Sequence, residues 1–413
     1  MRIIIHRGSR EIGGTCIQVS TAKTTILLDL GLPLSPKSRN LDVTALRPDA
    51  VLISHSHQDH YGLINNLYSE VPVYIGELGN CLINATNIML GRALHTNNFR
   101  YFKSWEPFFI GDFTVTPFLV DHSAVDAYSF LIEAEGKKIF YSGDLRAHGR
   151  KHKLFDHMVT FPPENIDLLF MEGTMIRRSN DEFPTEAAVE KKIFEIILEQ
   201  KNISFIISSS QNIDRIVSAF RACKRAGKIL VIDIYTAWVL EQVRKVAKKV
   251  PGMEWKEVRV YADYGQDNRM KANAQYFGDF RRRLYKHRVK WPEVKANPEM
   301  FVYFGKMSSF RKINIFKTGR ALVNVIYSQW RGYLDSPQAD YFGSDHIAEY
   351  RNAREVNFVY AHTSGHATLA DLRSLAASLK PKYLVPVHTE ANEDYGKHFD
   401  NVLSLIDGIE FNL

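Results

Sequence analysis

Between Ser54 and Gly62 the chain reads Ser-His-Ser-His-Gln-Asp-His-Tyr-Gly. His55, His57, Asp59 and His60 put three imidazoles and a carboxylate into six residues, the nitrogen and oxygen donors that zinc and similar divalent ions prefer. The apolar run 50–53, bounded upstream by Pro48, reads as a short buried strand. The donors therefore start at its C-terminal end, the edge where open α/β sheets gather their ligands. His55 and His57 alternate along an extended segment and can point the same way. Asp59 and His60 lie past the turn, where they can face a second centre. A merely polar loop is a poor account of four donors so closely spaced at a strand end.

Further donors stand where other apolar runs stop. Asp29 closes 24–28, and His122 follows 113–120 within Asp121-His122-Ser123. Asp144 follows a hairpin of 128–133 and 138–141 around Glu135-Gly136. Glu172 ends 166–171, His362 and His366 follow 356–360, and His388 follows 383–387. Taken singly, Asp29 reads as the start of a turn before Gly31, and His122 as a hydrogen-bonded structural residue.

The elements that must position these residues change texture along the chain. Up to Glu172, β-branched strands dominate, with a helix expected over 79–94 and Leu82, Met89 and Leu90 on its apolar side. From Pro184, which fits a helix start, the pattern becomes strand–helix–strand. A helix over 186–200 carries Val189, Ile193, Ile196 and Ile197 on one face. A strand over 203–207 follows, then a helix capped by Asn212 and ended by Gly227, then a strand over 228–234. That alternation implies a second, parallel α/β unit running to about Ala353. The run 356–360 is expected to return to the first domain. Thr368, with Asp371 three residues on, opens a helix over 369–379 as a capping box.

At 413 residues the chain exceeds a usual single core, so two domains are the default. Hydrophobic content of 45% and charged content of 24% are those of an ordinary globular protein. A net charge of +7 favours polyanionic partners. Cys16, Cys81 and Cys223 are widely spaced, which argues against a disulfide framework or a thiolate zinc site and fits a reducing compartment. The opening apolar run is too short for a signal peptide, and no run reaches the ~20 apolar residues of a spanning helix. A cytoplasmic protein without a membrane partner is expected.

The run His-x-His-x-Asp-His-x-Gly resembles the signature of the metallo-β-lactamase-fold hydrolases. Asp29-Leu30-Gly31, His122 and Ser142-Gly143-Asp144 match that family's first, third and fourth motifs. The long insert, Glu172 in Met-Glu-Gly-Thr, His366 in His-Thr-Ser-Gly-His and His388 in Val-Pro-Val-His-Thr-Glu narrow the resemblance to the β-CASP nucleases, most like the ribonuclease J group. The resemblance implies an αββα sandwich over 1–178 and 355–413, with an inserted parallel-sheet α/β domain over 179–354. It implies two divalent ions, zinc with manganese as the alternative. One is held by His55, His57 and His122, the other by Asp59, His60 and His388, with Asp144 bridging. Asp29 would support the histidine loop from behind, a role metal sites commonly need. His366 would be the general acid, and Glu172 would orient it and keep it charged. His362, Ser364 and Gly365 would touch substrate phosphate, and Ser210, Asn212 and Arg215 belong to a looser match of a substrate loop. Relative to that family, Thr389 stands where glycine is usual, the insert is short and diverged, and no C-terminal dimerisation domain is expected, although a homodimer is compatible with the rest.

The densest positive stretch runs from Arg281 through Arg282 and Arg283 to Trp291, preceded by Tyr276, Phe277 and Phe280. Cations interleaved with aromatics suit a single strand, pairing phosphates and stacking bases; the alternative is a solvated helix face. The implied activity is hydrolysis of single-stranded RNA, by 5′ exonuclease or endonuclease cleavage. A histidine at position 388 favours RNA in that family, and single-stranded DNA is the alternative substrate. A non-catalytic nucleic-acid scaffold is disfavoured because every ligand position is filled. A small-molecule hydrolase is disfavoured by the insert and by the pairing of Glu172 with His366.

Overall fold

The computed structural model describes residues 1–180, 182–317, 321–335 and 349–413. The chain divides into two compact units, one of Met1–Ile83, His95–Ser179 and Gly365–Leu413, the other of Asn84–Leu94 and Asn180–Ser364.

The first unit holds two sheets. One has the spatial order Glu410–Asn412, Arg2–Arg7, Cys16–Ser20, Thr25–Leu28, Ala50–Leu52, Pro72–Ile75, Asn98–Tyr101. Pairing is antiparallel as far as Thr25–Leu28 and parallel beyond it. The other runs Tyr383–Val387, Leu168–Glu172, Lys137–Tyr141, Tyr128–Ala134, Phe113–Leu119, Phe108–Ile110. Its first three strands are parallel and the rest antiparallel. Ile5, Ile17, Ile26 and Leu52 from the first sheet pack with Phe113, Phe130, Tyr141 and Phe170 from the second in one buried cluster. The outer face of the second sheet packs on helices His152–Thr160 and Leu369–Leu379 through Phe155, Met158, Leu372 and Leu375. Thr368 and Asp371 close the expected capping box on the latter helix. The two sheets thus face each other across one core, as the expected αββα sandwich requires.

Its parallel strands all release chain at one edge, and there the backbone turns sharply. Asp29 takes φ 58° and His388 φ 51°, the left-handed region that costs a non-glycine residue about 1–2 kcal/mol. Each fully buried Ile or Phe beneath them contributes about 1.5–3 kcal/mol, so packing readily holds both turns.

The second unit carries a seven-stranded, all-parallel sheet in the order Arg288–Val289, Val258–Tyr261, Ile229–Asp233, Phe301–Gly305, Ser204–Ile207, Val323–Tyr327, Val356–Tyr360. Its central strands are buried along their length, as helices on both faces of a parallel sheet require. Helices Glu186–Leu198, Ile213–Arg225 and Ile234–Val243 start at Thr185, Asn212 and Asp233, each accepting a backbone N–H on its side chain.

Two boundaries differ from those expected. Strand Val356–Tyr360 pairs with Val323–Tyr327, so it completes the inserted sheet and the first unit resumes at Gly365 rather than at 355. The helix expected over 79–94 is Glu77–Leu90 and stops where Gly91 takes φ +69°. Its second half, from Asn84, groups with the inserted unit. Thr86 there hydrogen-bonds Tyr235 and Gln211, and the Met89 carbonyl accepts from Arg269. Leu90, expected on the apolar side, is exposed.

Candidate metal centre

At the shared strand edge of the first unit, three overlapping sets of side chains each bring their donor atoms within 4.8 Å of one another: His55, His57, His122 and Asp144; Asp59, His60 and His388; and Asp144, His366 and His388. Asp144 is the hub. Its Oδ2 lies 3.1 Å from His60 Nε2, 3.8 Å from His55 Nε2, His388 Nε2 and His366 Nδ1, and 3.9 Å from His122 Nε2. Asp59 Oδ2 lies 3.8 Å from His60 Nε2 and 3.9 Å from His388 Nε2.

The rings are held from behind. His60 Nδ1 bonds Asp29 Oδ2 at 2.7 Å, His122 Nδ1 donates to the Gly365 carbonyl at 2.6 Å, and Thr15 Oγ1 bonds His388 Nδ1 at 3.1 Å. Ser54 Oγ lies 3.1 Å from His55 Nδ1, and Ser54 itself donates N–H and hydroxyl to Asp29. Facing inwards, Nε2 of His55 and of His388 and Asp144 Oδ1 are buried with no hydrogen-bond partner among the described residues, and His60 Nε2 faces Asp144 Oδ2 at 3.1 Å. Buried polar atoms are normally satisfied, so this inward set fits a divalent cation. Thr15 and Tyr141, which donates to Asp29 Oδ2 at 2.6 Å, went unnoticed in the sequence because each reads there as an ordinary strand residue.

The electrostatics agree with that fit. Burial, reinforced by neighbouring imidazoles, holds His55 and His122 well below the usual histidine range, lowers His388, and brings His57 down to about 4. Neutral rings are what ligation requires. For His60, burial also pulls downward, but Asp144, Asp29 and Asp59 overcome it and raise the pKa well above normal. These carboxylates call for a positive charge at that point. For Asp144, burial acts upward and is outweighed by His388, His60 and His366, which hold it well below the carboxylate range.

Beside the hub, His366 Nδ1 lies 3.3 Å from Glu172 Oε1. Glu172 is buried and accepts from the backbone of Ala367 and Thr174. Burial lowers the His366 pKa, but Glu172 and then Asp144 outweigh it and the net shift is upward. Two hydroxyls tie the neighbouring strand ends together. Thr174 bonds the His388 carbonyl at 3.3 Å and Thr389 bonds the Gly173 carbonyl at 3.0 Å, so the threonine at 389 has work where glycine is usual.

Gly31 sets how closely the histidine loop can approach. A Cβ placed there would lie 1.6 Å from the Asp59 carbonyl oxygen, and backbone cannot move aside as a side-chain tip can. Gly31→Ala is expected to destabilise the protein by about 2–3 kcal/mol, read by denaturant unfolding, and to displace Asp59. Unchanged stability would refute the close packing.

Other expected contacts fall elsewhere. Ser210, Asn212 and Arg215, read as substrate contacts, are committed inside the second unit. Ser210 accepts from Thr236, Asn212 caps its helix by accepting from Arg215 N, and Arg215 is fully buried. Its guanidinium pairs with Glu186, donates to the Ser328 carbonyl at 2.8 Å, and lies 3.4 Å from His362 Nδ1. A buried arginine must be paired, and Glu186, missed because it reads as the exposed first turn of a helix, does that. Arg215 thus braces the strand end bearing His362. His362 and Ser364 belong to this unit, and Ser364 N donates to Asn180 Oδ1. Gly365 lies in the first unit, where a Cβ would come 2.6 Å from Ser123 Oγ; the close approach it permits is to the His122 loop.

The basic run is partly neutralised. Arg281 pairs with Asp267, and Arg283 with Glu241, Glu254 and Asp279, while among the described residues Arg282 pairs with Asp279 alone and is 76% exposed. Phe277 and Phe280 are buried against Trp238. The charge and ring area open to a polyanion there are smaller than the residue types suggest.

A sandwich whose parallel strand edge carries a His/Asp cluster defines a metallo-hydrolase fold, and the chain belongs to the β-lactamase superfamily: residues 24–231 match the family described as the beta-lactamase superfamily domain. Residues 354–399 match a second family, the Zn-dependent metallo-hydrolase RNA specificity domain. Its similarity to named proteins runs to ribonuclease J. The Helicobacter pylori protein of that name is 22% identical over 93% of this chain and 55% of its own length; that of Mycoplasma genitalium is 22% identical over 94% and 68%. The chain thus spans little more than half of the Helicobacter relative. A crystal structure of a protein of unknown function from Enterococcus faecalis shares the fold, with a TM-score of 0.76, 22% identity, and coverage of 100% of this chain and 99% of that one. Among the described residues no helix is long and apolar enough to cross a membrane.

Proposed function

We propose that this chain is a two-metal ribonuclease that hydrolyses phosphodiester bonds of single-stranded RNA. The observation that carries the reading is the convergence of buried imidazole and carboxylate donors around Asp144, among which Nε2 of His55 and of His388 and Asp144 Oδ1 have no hydrogen-bond partner among the described residues. The ribonuclease J relatives and the RNA-specificity match support RNA over single-stranded DNA. His55, His57 and His122 would hold one ion, and Asp59, His60 and His388 the other, with Asp144 between them; zinc suits these donors and manganese is also accepted by them. Such a pair supplies Lewis acidity at the phosphate oxygens and an activated water at neutral pH.

The protein's own groups do the rest. Asp29, Thr15 and the Gly365 carbonyl fix ring orientation, so the donors are set before substrate arrives. His366 keeps a proton because Glu172 and Asp144 favour its charged form, and it delivers that proton to the departing oxygen. His362, Ser364 and the exposed Arg282 are proposed to meet the RNA backbone. Arg215 acts on it only through His362.

The test uses RNA and DNA of identical sequence, with and without prior chelation. Chelation is expected to abolish cleavage and lower the unfolding temperature, zinc or manganese to restore both, and RNA to be cut much faster than DNA. Full activity after chelation removes the metal from the mechanism; rapid cleavage of DNA alone reverses the substrate. Product lengths from 5′-monophosphate, 5′-triphosphate and circular RNAs then separate exonuclease from endonuclease action.

A further inference from the structure

We propose that Tyr141 is a positioning residue for one of the two metal sites and not for the other. The inference rests on reading the cluster as a two-ion centre. Tyr141 ends strand Lys137–Tyr141 and is 1% exposed. Its hydroxyl donates to Asp29 Oδ2 at 2.6 Å, the same oxygen that bonds His60 Nδ1 at 2.7 Å and accepts from Ser54 Oγ at 2.8 Å. Ser54 and His60 both sit on the histidine loop. Tyr141 comes from the opposite sheet, so it anchors Asp29 Oδ2, and directly through that oxygen the His60 ring, to a strand outside the loop. Burial and the adjacent Asp29 charge push the phenol pKa well above normal, which keeps the hydroxyl a donor.

Asymmetry makes the proposal specific. The outer nitrogens of His55 and His122 meet neutral oxygens, from Ser54 and Gly365, and that of His388 meets the Thr15 hydroxyl and the Gly13 N–H. Among these four rings His60 alone is backed by a carboxylate, and a carboxylate on Nδ1 leaves Nε2 bare and strengthens it as a ligand. His60 groups with Asp59 and His388, not with His55, His57 and His122. Tyr141→Phe removes one of the three groups on Asp29 Oδ2 with little change of shape, leaving Ser54 and His60 to hold that oxygen and loosening its aim at His60. Ser54, by contrast, touches both His55 and His60, so Ser54→Ala is the non-selective comparison.

Metal-free protein is titrated with zinc against a chromophoric chelator. The wild type should show two binding steps. Tyr141→Phe should weaken one step about tenfold, at the lower end of the usual effect of outer partners, and leave the other in place. Ser54→Ala should weaken both. A Tyr141 that only stabilises the core would lower the unfolding temperature without separating the steps. Wild-type protein that takes up no ion sinks the metal centre and this inference together. Two wild-type steps with both unchanged, or both equally weakened, in Tyr141→Phe sink this inference alone. Should the variant not fold, 3-fluorotyrosine at position 141, which keeps the shape and alters the hydroxyl as a donor, takes its place: a change in one zinc step alone supports the proposal, and no change or an equal change in both overturns it.

Discussion

Asp144→Asn is expected to lower RNA cleavage by at least about 10³-fold and to strip the protein of tightly held zinc. No other described side chain has one oxygen within 4 Å of nitrogens from five histidines. An amide keeps the shape but removes the negative charge, and its N–H groups face lone pairs that ligation needs. The Lewis-acid contribution lost is worth several kcal/mol, and each ~1.4 kcal/mol is a decade in rate. Single-turnover cleavage and zinc content by mass spectrometry read the two effects, with circular dichroism to confirm folding. A folded variant with its zinc complement and a rate within tenfold of wild type would mean that Asp144 is not the bridge.

His366→Ala should slow RNA cleavage by about 10²–10⁴-fold, the usual share of a general acid. It should leave a nitrophenyl ester of the same nucleotide nearly unaffected, because that leaving group departs without a proton. The contrast matters because His366 also lies within 4.8 Å of Asp144 and His388 donors and could instead bind metal. A ligand role predicts equal losses on both substrates and lowered zinc content. Glu172→Gln sharpens the distinction. Glu172 is the strongest of the groups raising the His366 pKa, so its neutralisation should let the His366 proton leave at lower pH. The alkaline limb of the rate profile, which follows loss of that proton, should shift downward. An unmoved limb would detach the two residues.

Much of this was legible in the sequence where residue type and position agree. Asp29, Asp144, Glu172 and His388 each follow an apolar run, and a carboxylate or imidazole at such a boundary stands out. The residues that hold them do not. Tyr141 and Thr15 have the types expected of any strand, and their hydroxyls matter only because tertiary packing brings them to Asp29 and His388. Glu186 reads as a helix-start carboxylate until Arg215, 29 positions on, is found against it. The arginines of the basic run suggest a free cationic face for the same reason: Arg283 finds Glu241 across 42 residues, a separation that local pattern does not register. The run 356–360 points to no particular unit in the sequence, because an edge strand looks the same whichever sheet it joins, and pairing with Val323–Tyr327 is what decides it.

The left-handed turns at Asp29 and His388, and the ring anchors behind the inner nitrogens, bear on how portable the histidine-rich loop is. Excised as a peptide, or grafted onto an unrelated scaffold, 54–62 would carry every donor type but none of the bracing that distant strands provide. Its imidazoles would sample many rotamers and both tautomers. The geometry is a property of the whole sandwich, acquired only once both sheets have closed.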